Sequence, residues 1–425
     1  MRKIFSLIFI CLVYTLPATA QSIKYNFGIN SVLSEHTPFW MQSNQFGEFD
    51  TEGSSLSGSF NSKFAQNFSE RFSFSSELRL ISRLSEHSTL YAPLINASIR
   101  YGKLHLTAGR FYNPREQQLE DLSTGSLTMS RNAVPIPRVL LATEFISVPF
   151  TQDILQIKGS FGHGVMEDSR FVKRPFLHES SLYGKLGIEK LYVFLGLQRY
   201  ALWGGESKDP NVGKLPSSFN DLLRIVFSQE GGDDAPELDQ DYKLGDQFGN
   251  YDGGIRWTAE SITAEVYWQN FFEDKDGLIL KNYTDGLFGI ALKLKHTQFV
   301  KSVLFEHIYS KDQSGPIGAD GTRGGAGGQD NYYNHSVYVT GWSHFGRSVG
   351  TPFFTSSPSR ANNKSFFENN RVVVYHLGLG GNLSPDLNYI FKISTSNNYG
   401  LYRERDQAIE NNLEYKFLPP LRQTS

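Results

Sequence analysis

The sequence predicts an all-β protein, a transmembrane antiparallel up-and-down β-barrel of roughly 16 to 18 strands with long extracellular loops. Apolar residues recur at every second position over segments of about ten residues, and the connections between these segments alternate between short and long. Aromatic residues make up 14% of a chain whose mean hydropathy is −0.34. Many aromatic side chains in a polar chain need a half-apolar environment, which a membrane-embedded barrel supplies.

The alternating segments run along most of the chain, and each places its apolar residues on one face of a strand. Examples lie at 60–68, 72–80, 104–108, 191–197, 262–268, 288–294 and 387–393. Lipid cannot hydrogen-bond to the open edges of a sheet, so a sheet of this kind has to close into a barrel. We expect the aromatic residues at predicted strand ends to form girdles at the two membrane surfaces. These residues are Tyr267, Trp268, Tyr309 and Tyr389.

The connections predict a series of hairpins with all long loops at one end. Tight turns are expected near 101–103, 149–153, 189–190, 258–261, 296–301 and 382–386. Long polar segments lie between them, at 111–137, 162–180, 200–251, 270–285 and 310–334. The segment from His344 to Asn370 is long where parity calls for a tight turn, which leaves two alternatives: an extra hairpin, or a segment that folds into the lumen.

The chain is predicted to contain a signal peptide at 1–20 followed by one barrel domain at 21–425. Arg2 and Lys3 precede an apolar run too short to span a bilayer, and Ala18-Thr19-Ala20 is a cleavage signal after Ala20. The C-terminal "YKFLPPLRQTS" lacks the aromatic-ended final strand typical of such barrels. A barrel that is incomplete at the C-terminus is therefore also expected as an alternative.

Composition and motifs argue against several classes of function. A net charge of −2 gives no basic field for nucleic acid. Cys11, the only cysteine, lies in the leader, so disulfides and cysteine-bound metals are excluded from the mature chain. We find no nucleophile elbow, zinc helix or phosphate loop, and predict no enzyme, no cofactor and no metal site. The glycine-rich segment 315–330 is interpreted as a flexible external loop.

Binding is the better-supported function. The loop from Arg110 to Arg138 collects four arginines, which suit carboxylates because a guanidinium donates two parallel hydrogen bonds. An equally good interpretation is that these arginines line the lumen and pair with Glu116, Glu120 or Asp121. Near Trp203, "LQRYALWGGESKDP" sets an indole beside glycines and polar residues, an arrangement that suits the apolar face and hydroxyl rim of a sugar ring.

The segment "HTPFWMQSNQFGEFD", 36–50, places four weakly polar residues directly before a polar run. A buried strand would not carry Gln-Ser-Asn-Gln in a row, and a loop in water would not need Phe39, Trp40 and Met41. Half of the segment must therefore be shielded from water. Two placements for Trp40 remain open: the headgroup zone of the membrane, or the inner wall of the barrel.

Several segments resemble the capsule assembly protein Wzi family, in the form found in Bacteroidetes. They are "TPFWMQSNQFG", "GSLTMSRNAVPIPRV", "GHGVMEDSRFVKRPFLHESSLYGKLG", "ALWGGESKD", "DQFGNYDGGI" and "YWQNFFEDKDG", in this order along most of the chain. The resemblance implies an outer-membrane lectin that holds capsular or other surface polysaccharide during capsule assembly. Its partners would be that polysaccharide, the outer-membrane lipid and the capsule export machinery.

A second hypothesis is an outer-membrane diffusion channel, since a barrel of this size can enclose water. A third, a membrane hydrolase, has no motif to support it. Under the leading hypothesis we predict that a set of aromatic, amide, basic and imidazole side chains binds the glycan. The set consists of Trp40, Asn44, Arg110, Arg115, Arg131, Asn132, Arg138, His178 and Trp203.

Overall fold

A computed structural model describes residues 21–425 except 52, 115–118, 237–238, 241–242, 274, 316–329, 357–365, 402–422 and 425. The predicted signal peptide, Arg115 with Glu116, and most of the glycine-rich segment lie outside the described residues. Most of the C-terminal segment also lies outside them.

Strands account for most of the described secondary structure. The strands are β1 Gln21–Val32, β2 Ser55–Asn67, β3 Phe72–Leu84, β4 Thr89–Tyr101, β5 Leu104–Arg110, β6 Arg138–Thr143, β7 Ile146–Ser147, β8 Leu155–Val165, β9 Val172–Lys173, β10 Phe176–Ile188, β11 Leu191–Trp203, β12 Glu206–Ser207, β13 Asp246–Thr258, β14 Ile262–Phe272, β15 Gly286–Leu294, β16 Ser302–Tyr309, β17 Ser343–His344, β18 Arg347–Ser348, β19 Thr355–Ser356, β20 Phe367–Asn369, β21 Val372–Ser384, β22 Leu387–Asn398 and β23 Gln423–Thr424. Three short helices are α1 Phe39–Gln42, α2 Phe219–Val226 and α3 Lys275–Leu278. Within the described residues, none of the helices has the length and apolar character needed to cross a membrane.

Seventeen of these strands form one antiparallel sheet, which is the wall of an up-and-down barrel and confirms the predicted fold class. Each wall strand pairs with the next one along the chain, and β6 and β7 both pair with β8. Between the described parts of β1 and β22 there is no pairing; β22 pairs instead with β23. Three further two-stranded pairs, β9–β12, β17–β18 and β19–β20, lie within the connections.

The connections alternate in length as predicted, with one exception. The short-turn end contains the turns at 68–71, 102–103, 189–190, 259–261 and 385–386, and the opposite, long-loop end contains the connections 33–54, 111–137, 204–245 and 310–371. The short turn at 85–88 also lies at the long-loop end. The segment 344–370 is expected either to form an extra hairpin of the wall or to fold into the lumen, and the structure shows the second. It carries small strand pairs there, and its described residues add no strand to the wall.

Three predicted long segments are partly wrong, because the wall strands extend into them. β14 reaches into 270–285. β8 and β10 reach into 162–180, and β11 and β13 reach into 200–251. The polar run at 178–181 hides β10 because its outward His178 is covered by protein while its inward Glu179 is bound inside the barrel. The polar His178 on the outer side therefore breaks the rule of apolar outside and polar inside, which conceals the alternation of β10 at this point.

The two faces of the wall differ as a membrane barrel requires. On β11, Leu191, Val193 and Leu195 point outward and are exposed, while Phe194 and Tyr200 point inward and are buried. The expectation that Tyr267 belongs to an interfacial girdle is wrong. Tyr267 points into the lumen, is 2% exposed and donates its hydroxyl to Glu306. Sequence periodicity gives the alternation of faces but does not say which face is outside.

The inner wall fits its side chains closely. Tyr183 of β10 lies across the ladder from Gly196 of β11, and its hydroxyl donates to Asp252 Oδ2 at 2.9 Å. A Cβ added at Gly196 would come within 2.2 Å of the Tyr183 ring. The ring thus covers the glycine and fills the space that its missing side chain leaves.

We predict that Gly196→Ala lowers the free energy of unfolding by about 1–3 kcal/mol, because the new methyl group forces the Tyr183 ring off its position. Gly184→Ala is the matched control, since a Cβ there has no atom within 4 Å. Urea unfolding of the refolded barrel in vesicles measures both variants. Equal midpoints for the two would contradict the close fit.

Candidate functional site

Three connections from the long-loop end fold inward and fill the lumen. We call these segments, 36–50, 119–137 and 330–356, the plug. Together they bury most of the aromatic residues of the interior, with Trp342 and Tyr332 at most 1% exposed. The plug covers most of the inner wall and so determines which wall residues remain accessible.

Segment 119–137 is bound to the wall by polar contacts. Ser123 Oγ donates to Glu306 Oε1 at 2.7 Å, and the Thr124 N–H and hydroxyl both donate to Glu306 Oε2 at 2.6 Å. Further along, the Leu127 N–H donates to Gln269 Oε1 at 3.1 Å, and the Thr128 hydroxyl to Asn250 Oδ1 at 2.8 Å. The segment therefore crosses the lumen and satisfies buried groups on β16, β14 and β13 in turn.

Segment 36–50 connects the first strands of the wall to the last. Glu48 accepts hydrogen bonds from Asn30 of β1, Ser57 of β2 and Arg79 of β3. At its other end, Trp40 Nε1 donates to Ser394 Oγ of β22 at 3.2 Å. Of the two placements expected for Trp40, the structure shows the inner wall. Trp40 is 8% exposed there. The shielded half of the segment packs inside the barrel, and its polar half bonds to the rest of the plug.

Segment 330–356 packs against the other two. The Trp342 indole donates to the Thr128 carbonyl, and its ring lies 4.5 Å from that of Phe248. Arg347 donates to the carbonyls of Gln42 at 3.0 Å and Phe49 at 2.7 Å. Each of the three segments thus holds another, so the plug is one packed unit.

A cavity of about 260 Å³ opens at the long-loop end of the plug. Its lining combines cationic, anionic and apolar side chains from four connections or strand ends: Arg110, Pro137, Val165, Met166, Glu167, Asp168, Arg174, His344 and Phe345. Phe345 is 52% exposed, and the Arg110 guanidinium lies 5.9 Å from its ring. We call this cavity the mouth pocket.

The floor of the mouth pocket is a buried polar triad. Glu167 Oε2 lies 2.5 Å from His344 Nδ1, its Oε1 accepts the Phe345 N–H at 3.0 Å, and Arg170 Nη1 lies 3.6 Å from the same Oε1. Burial opposes ionisation of Glu167, but the hydrogen bond from His344 and the charge of Arg170 outweigh it and lower the pKa of Glu167 to about 2. Burial lowers the pKa of His344.

These protonation states fix the tautomer of His344. An ionised Glu167 only accepts hydrogen bonds, so the imidazole proton of neutral His344 resides on Nδ1. Nε2 is then an acceptor, and this buried atom has no hydrogen-bond partner. A buried acceptor without a donor is costly, so the His344 ring is held in this orientation by its Nδ1 contact with Glu167.

The structure brings together some of the predicted binding residues. Trp40, Asn44 and Asn132 all lie in the plug, where Asn44 Nδ2 donates to the Thr124 carbonyl at 3.0 Å and Asn132 Nδ2 to that of Ser348 at 3.1 Å. Their polar groups are used to hold the plug together. Arg110 lines the mouth pocket, and Arg115 lies outside the described residues.

For two of the arginines the structure shows internal pairing. Arg131 Nη1 lies 2.8 Å from Asp121 Oδ1, as one of the two sequence alternatives expected. The Arg138 side chain is 0% exposed, pairs with Glu179 at 2.8 Å and donates to the Phe111 and Ile136 carbonyls. Their guanidinium groups are engaged within the protein.

His178 and Trp203 are separated from the other predicted residues. Both point to the outer face of the wall, where the His178 ring lies 4.8 Å from that of His163, and Trp203 lies 5.0 Å from Phe176. His178 is 0% and Trp203 6% exposed, because connection 204–245 covers this part of the wall. The predicted role of these two residues in binding a glycan would require this cover to move.

Sequence reasoning missed the residues that form the mouth pocket. Met166, Glu167, Asp168 and Arg174 do lie in the quoted segment "GHGVMEDSRFVKRPFLHESSLYGKLG". Their partner His344 is 177 residues from Glu167, and no pattern in the sequence pairs the two. In the part of the chain that the structure covers, no group of three or more His, Cys, Asp or Glu side chains could hold a metal ion.

The wall and its plug define a class of protein: an outer-membrane β-barrel whose lumen is filled by its own loops. The sequence profile of the capsule assembly protein Wzi family matches residues 32–359. The chain belongs to this family. No curated protein sequence matches the chain.

One solved structure gives the same fold. It is that of Wzi of Escherichia coli, described as a carbohydrate-binding β-barrel of the outer membrane involved in group 1 capsule assembly. Wzi is 16% identical to this chain, and the match covers 89% of this chain and 70% of Wzi with a TM-score of 0.51. OmpT of Vibrio cholerae, an outer-membrane protein in its trimer form, is 10% identical, with 89% and 90% coverage and a TM-score of 0.39. The second similarity is too low to support a structural conclusion.

We predict that Glu167→Gln loosens the floor of the mouth pocket. The substitution leaves the buried Arg170 without its carboxylate, and breaking a buried ion pair costs on the order of 3–5 kcal/mol. Amide hydrogen exchange at 341–345 should therefore accelerate. Asp168→Asn is the matched control, since Asp168 is the exposed neighbour, and it should leave the same amides unchanged. Equal exchange in the two variants would refute the structural role of the triad.

Asp285 provides a pH-dependent link between two long connections. Its carboxylate accepts hydrogen bonds from the Asp312 and Gln313 N–H groups at 2.9 and 2.7 Å and from the Tyr332 hydroxyl at 2.7 Å. Burial outweighs these hydrogen bonds and raises the pKa of Asp285 from 3.8 to about 6. Between these two pH values the folded chain binds more protons than the unfolded chain.

The contribution of Asp285 to the free energy of unfolding should accordingly fall as the pH rises from 4 to 6, by up to about 3 kcal/mol. Urea midpoints measured across this range test the slope. Asp285→Asn should remove this part of the slope, whereas Asp386→Asn, at an exposed turn on the opposite end, should retain it. A slope that Asp285→Asn leaves intact would contradict the assignment.

Proposed function

We propose that this chain is an outer-membrane lectin that binds and retains capsular or other surface polysaccharide during capsule assembly. The observation that carries the proposal is the mouth pocket, an open cavity at the long-loop end of a barrel whose described interior is packed by the plug. Family membership supports the capsule role. We further propose that residues 1–20 are removed as a signal peptide and that 21–425 form a single barrel domain.

The chemistry of the mouth pocket suits a sugar ring. The exposed Phe345 offers a flat apolar surface for the C–H face of a pyranose. Arg110 and the exposed Arg174 donate to hydroxyl or carboxylate oxygens. The pocket volume corresponds to one or two sugar residues, so a polymer would be gripped at one point and leave the rest of its length outside.

The proposed protein binds the polysaccharide and does not react with it. The polar side chains of the pocket floor are held in place by one another, and Arg110 is partly engaged through the Ala92 carbonyl at 3.3 Å. The filled lumen weighs against the second hypothesis, a diffusion channel. Export machinery at the cell surface remains a proposed partner.

We predict that Phe345→Ala weakens binding of purified barrel to surface polysaccharide by about 5- to 30-fold, equivalent to roughly 1–2 kcal/mol for a lost stacking surface. Phe150→Ala is the matched control. Phe150 is fully exposed in a turn on the short-turn side, so its loss should leave binding unchanged. Pull-down of the labelled polysaccharide by refolded protein measures both variants.

The biological role is tested separately by deleting the gene and comparing cell-attached with shed polysaccharide. Complementation with the wild type should restore retention, whereas Phe345→Ala should restore it only in part. Unchanged retention in the deletion strain would overturn the capsule role. Equal binding by the two Phe variants would overturn the mouth pocket as the site.

A further inference from the structure

Connection 204–245 touches the plug near its start, where the Gly204 carbonyl accepts the Tyr338 hydroxyl at 3.4 Å, but the part that contains Ile225 and Leu244 folds back over the outer face of the wall. Ala201 and Trp203 point outward from β11 and would face lipid, yet they are 0% and 6% exposed. They pack instead against Ile225 and Leu244 of the connection, in a small apolar cluster separate from the lumen. Protein therefore covers the long-loop end of this strand from outside.

Helix α2 forms part of this cover. At its start, the Ser218 hydroxyl accepts the Asp221 N–H while the Asp221 carboxylate accepts the Ser218 N–H, a capping box. At its end, the Arg199 guanidinium of β11 donates to the carbonyls of Ile225 and, at 3.0 Å, of Val226. A cation at the C-terminus also complements the helix dipole. The wall thus holds the helix in one orientation.

The exposed face of α2 is apolar. Phe219, Leu223 and Phe227 are 72%, 40% and 68% exposed, and their spacing of four residues places them along one stripe. Asp221 and Ile225 lie on the opposite, buried face. A helix that only covers a protein in water would show the reverse arrangement, with its apolar stripe turned inward.

The strand register gives the height of this stripe on the barrel. Leu195 belongs to the exposed apolar belt of the outer wall and is 63% exposed. Arg199, which binds the end of α2, lies four residues further along β11, about 13 Å at 3.3 Å per residue. The stripe therefore begins where the apolar belt ends, at the level of the lipid headgroups.

We propose that α2 is an interfacial anchor whose stripe of Phe219, Leu223 and Phe227 lies in the outer leaflet of the membrane, at the boundary between headgroups and acyl chains. The occupant of this apolar surface is a lipid surface, because the stripe is continuous with the lipid-facing belt of β11. Aromatic and leucine side chains on one face are what interfacial helices use. The anchor would fix the depth of the barrel, and so the height of the mouth pocket above the membrane.

Site-directed spin labelling tests the anchor, since Cys11 is the only cysteine and Cys11→Ser gives a cysteine-free background. Phe219→Cys and Phe227→Cys are labelled with a nitroxide in refolded barrel reconstituted into dioleoylphosphatidylcholine vesicles. Collision rates with oxygen, which concentrates in lipid, are compared with those of a water-soluble nickel complex. Leu195→Cys is the lipid-facing control, and the exposed Asn211→Cys, in the same connection, is the water-facing control.

Both helix labels are expected to show an oxygen-to-nickel accessibility ratio several-fold above that of Asn211→Cys and approaching that of Leu195→Cys. A ratio equal to that of Asn211→Cys would overturn the proposal, since the stripe would then face water. Immobilised labels with low access to both reagents would also overturn it, in favour of a second protein chain. If either Phe variant fails to refold, Leu223→Cys on the same stripe gives the same test.

Discussion

A buried carboxylate, that of Glu306, is the group on which the interior depends. Glu306 is 0% exposed inside the barrel, where an ionised group without partners would be costly by several kcal/mol. Its donors come from two sources: Tyr267 on the neighbouring part of the wall, and Ser123 with Thr124 on the plug. The wall therefore needs the plug to satisfy its polar inner face, and the plug takes its position from the wall.

The same arrangement recurs around the lumen. Gln269 of β14, Asn250 of β13 and Glu179 of β10 point inward and find partners in segment 119–137 or at its end. In a water-filled barrel these groups would be hydrated. Here loop atoms replace the water, which leaves the mouth pocket at the long-loop end as an opening suited to a ligand. A barrel built in this way leaves its opening at the surface rather than through the described interior.

The sequence was sufficient for the wall but not for the interior. Alternating apolar residues and alternating loop lengths predict the strand count, the up-and-down order and most turns, because both patterns are local. The pairing of Glu167 with His344 is not local, and neither is that of Glu306 with Thr124 across 182 residues. Arg138 illustrates the difficulty: in the sequence it is one more loop arginine, and only the folded chain shows that its guanidinium is buried and paired with Glu179.

The surroundings of aromatic residues at strand ends are equally hard to read from the sequence. Trp203 is predicted to bind a glycan, and in the structure connection 204–245 covers it. Tyr267 is predicted to belong to an interfacial girdle and points into the lumen. Periodicity assigns a residue to one of two faces, whereas the identity of that face depends on what the long connections cover.

Single-channel recording of the wild-type barrel in a planar bilayer tests the central claim, that the plug fills the lumen, most directly. We predict no steady conductance at moderate voltage, with the bilayer remaining silent after confirmed insertion. A large, steady and salt-dependent current through the wild-type protein would contradict the account.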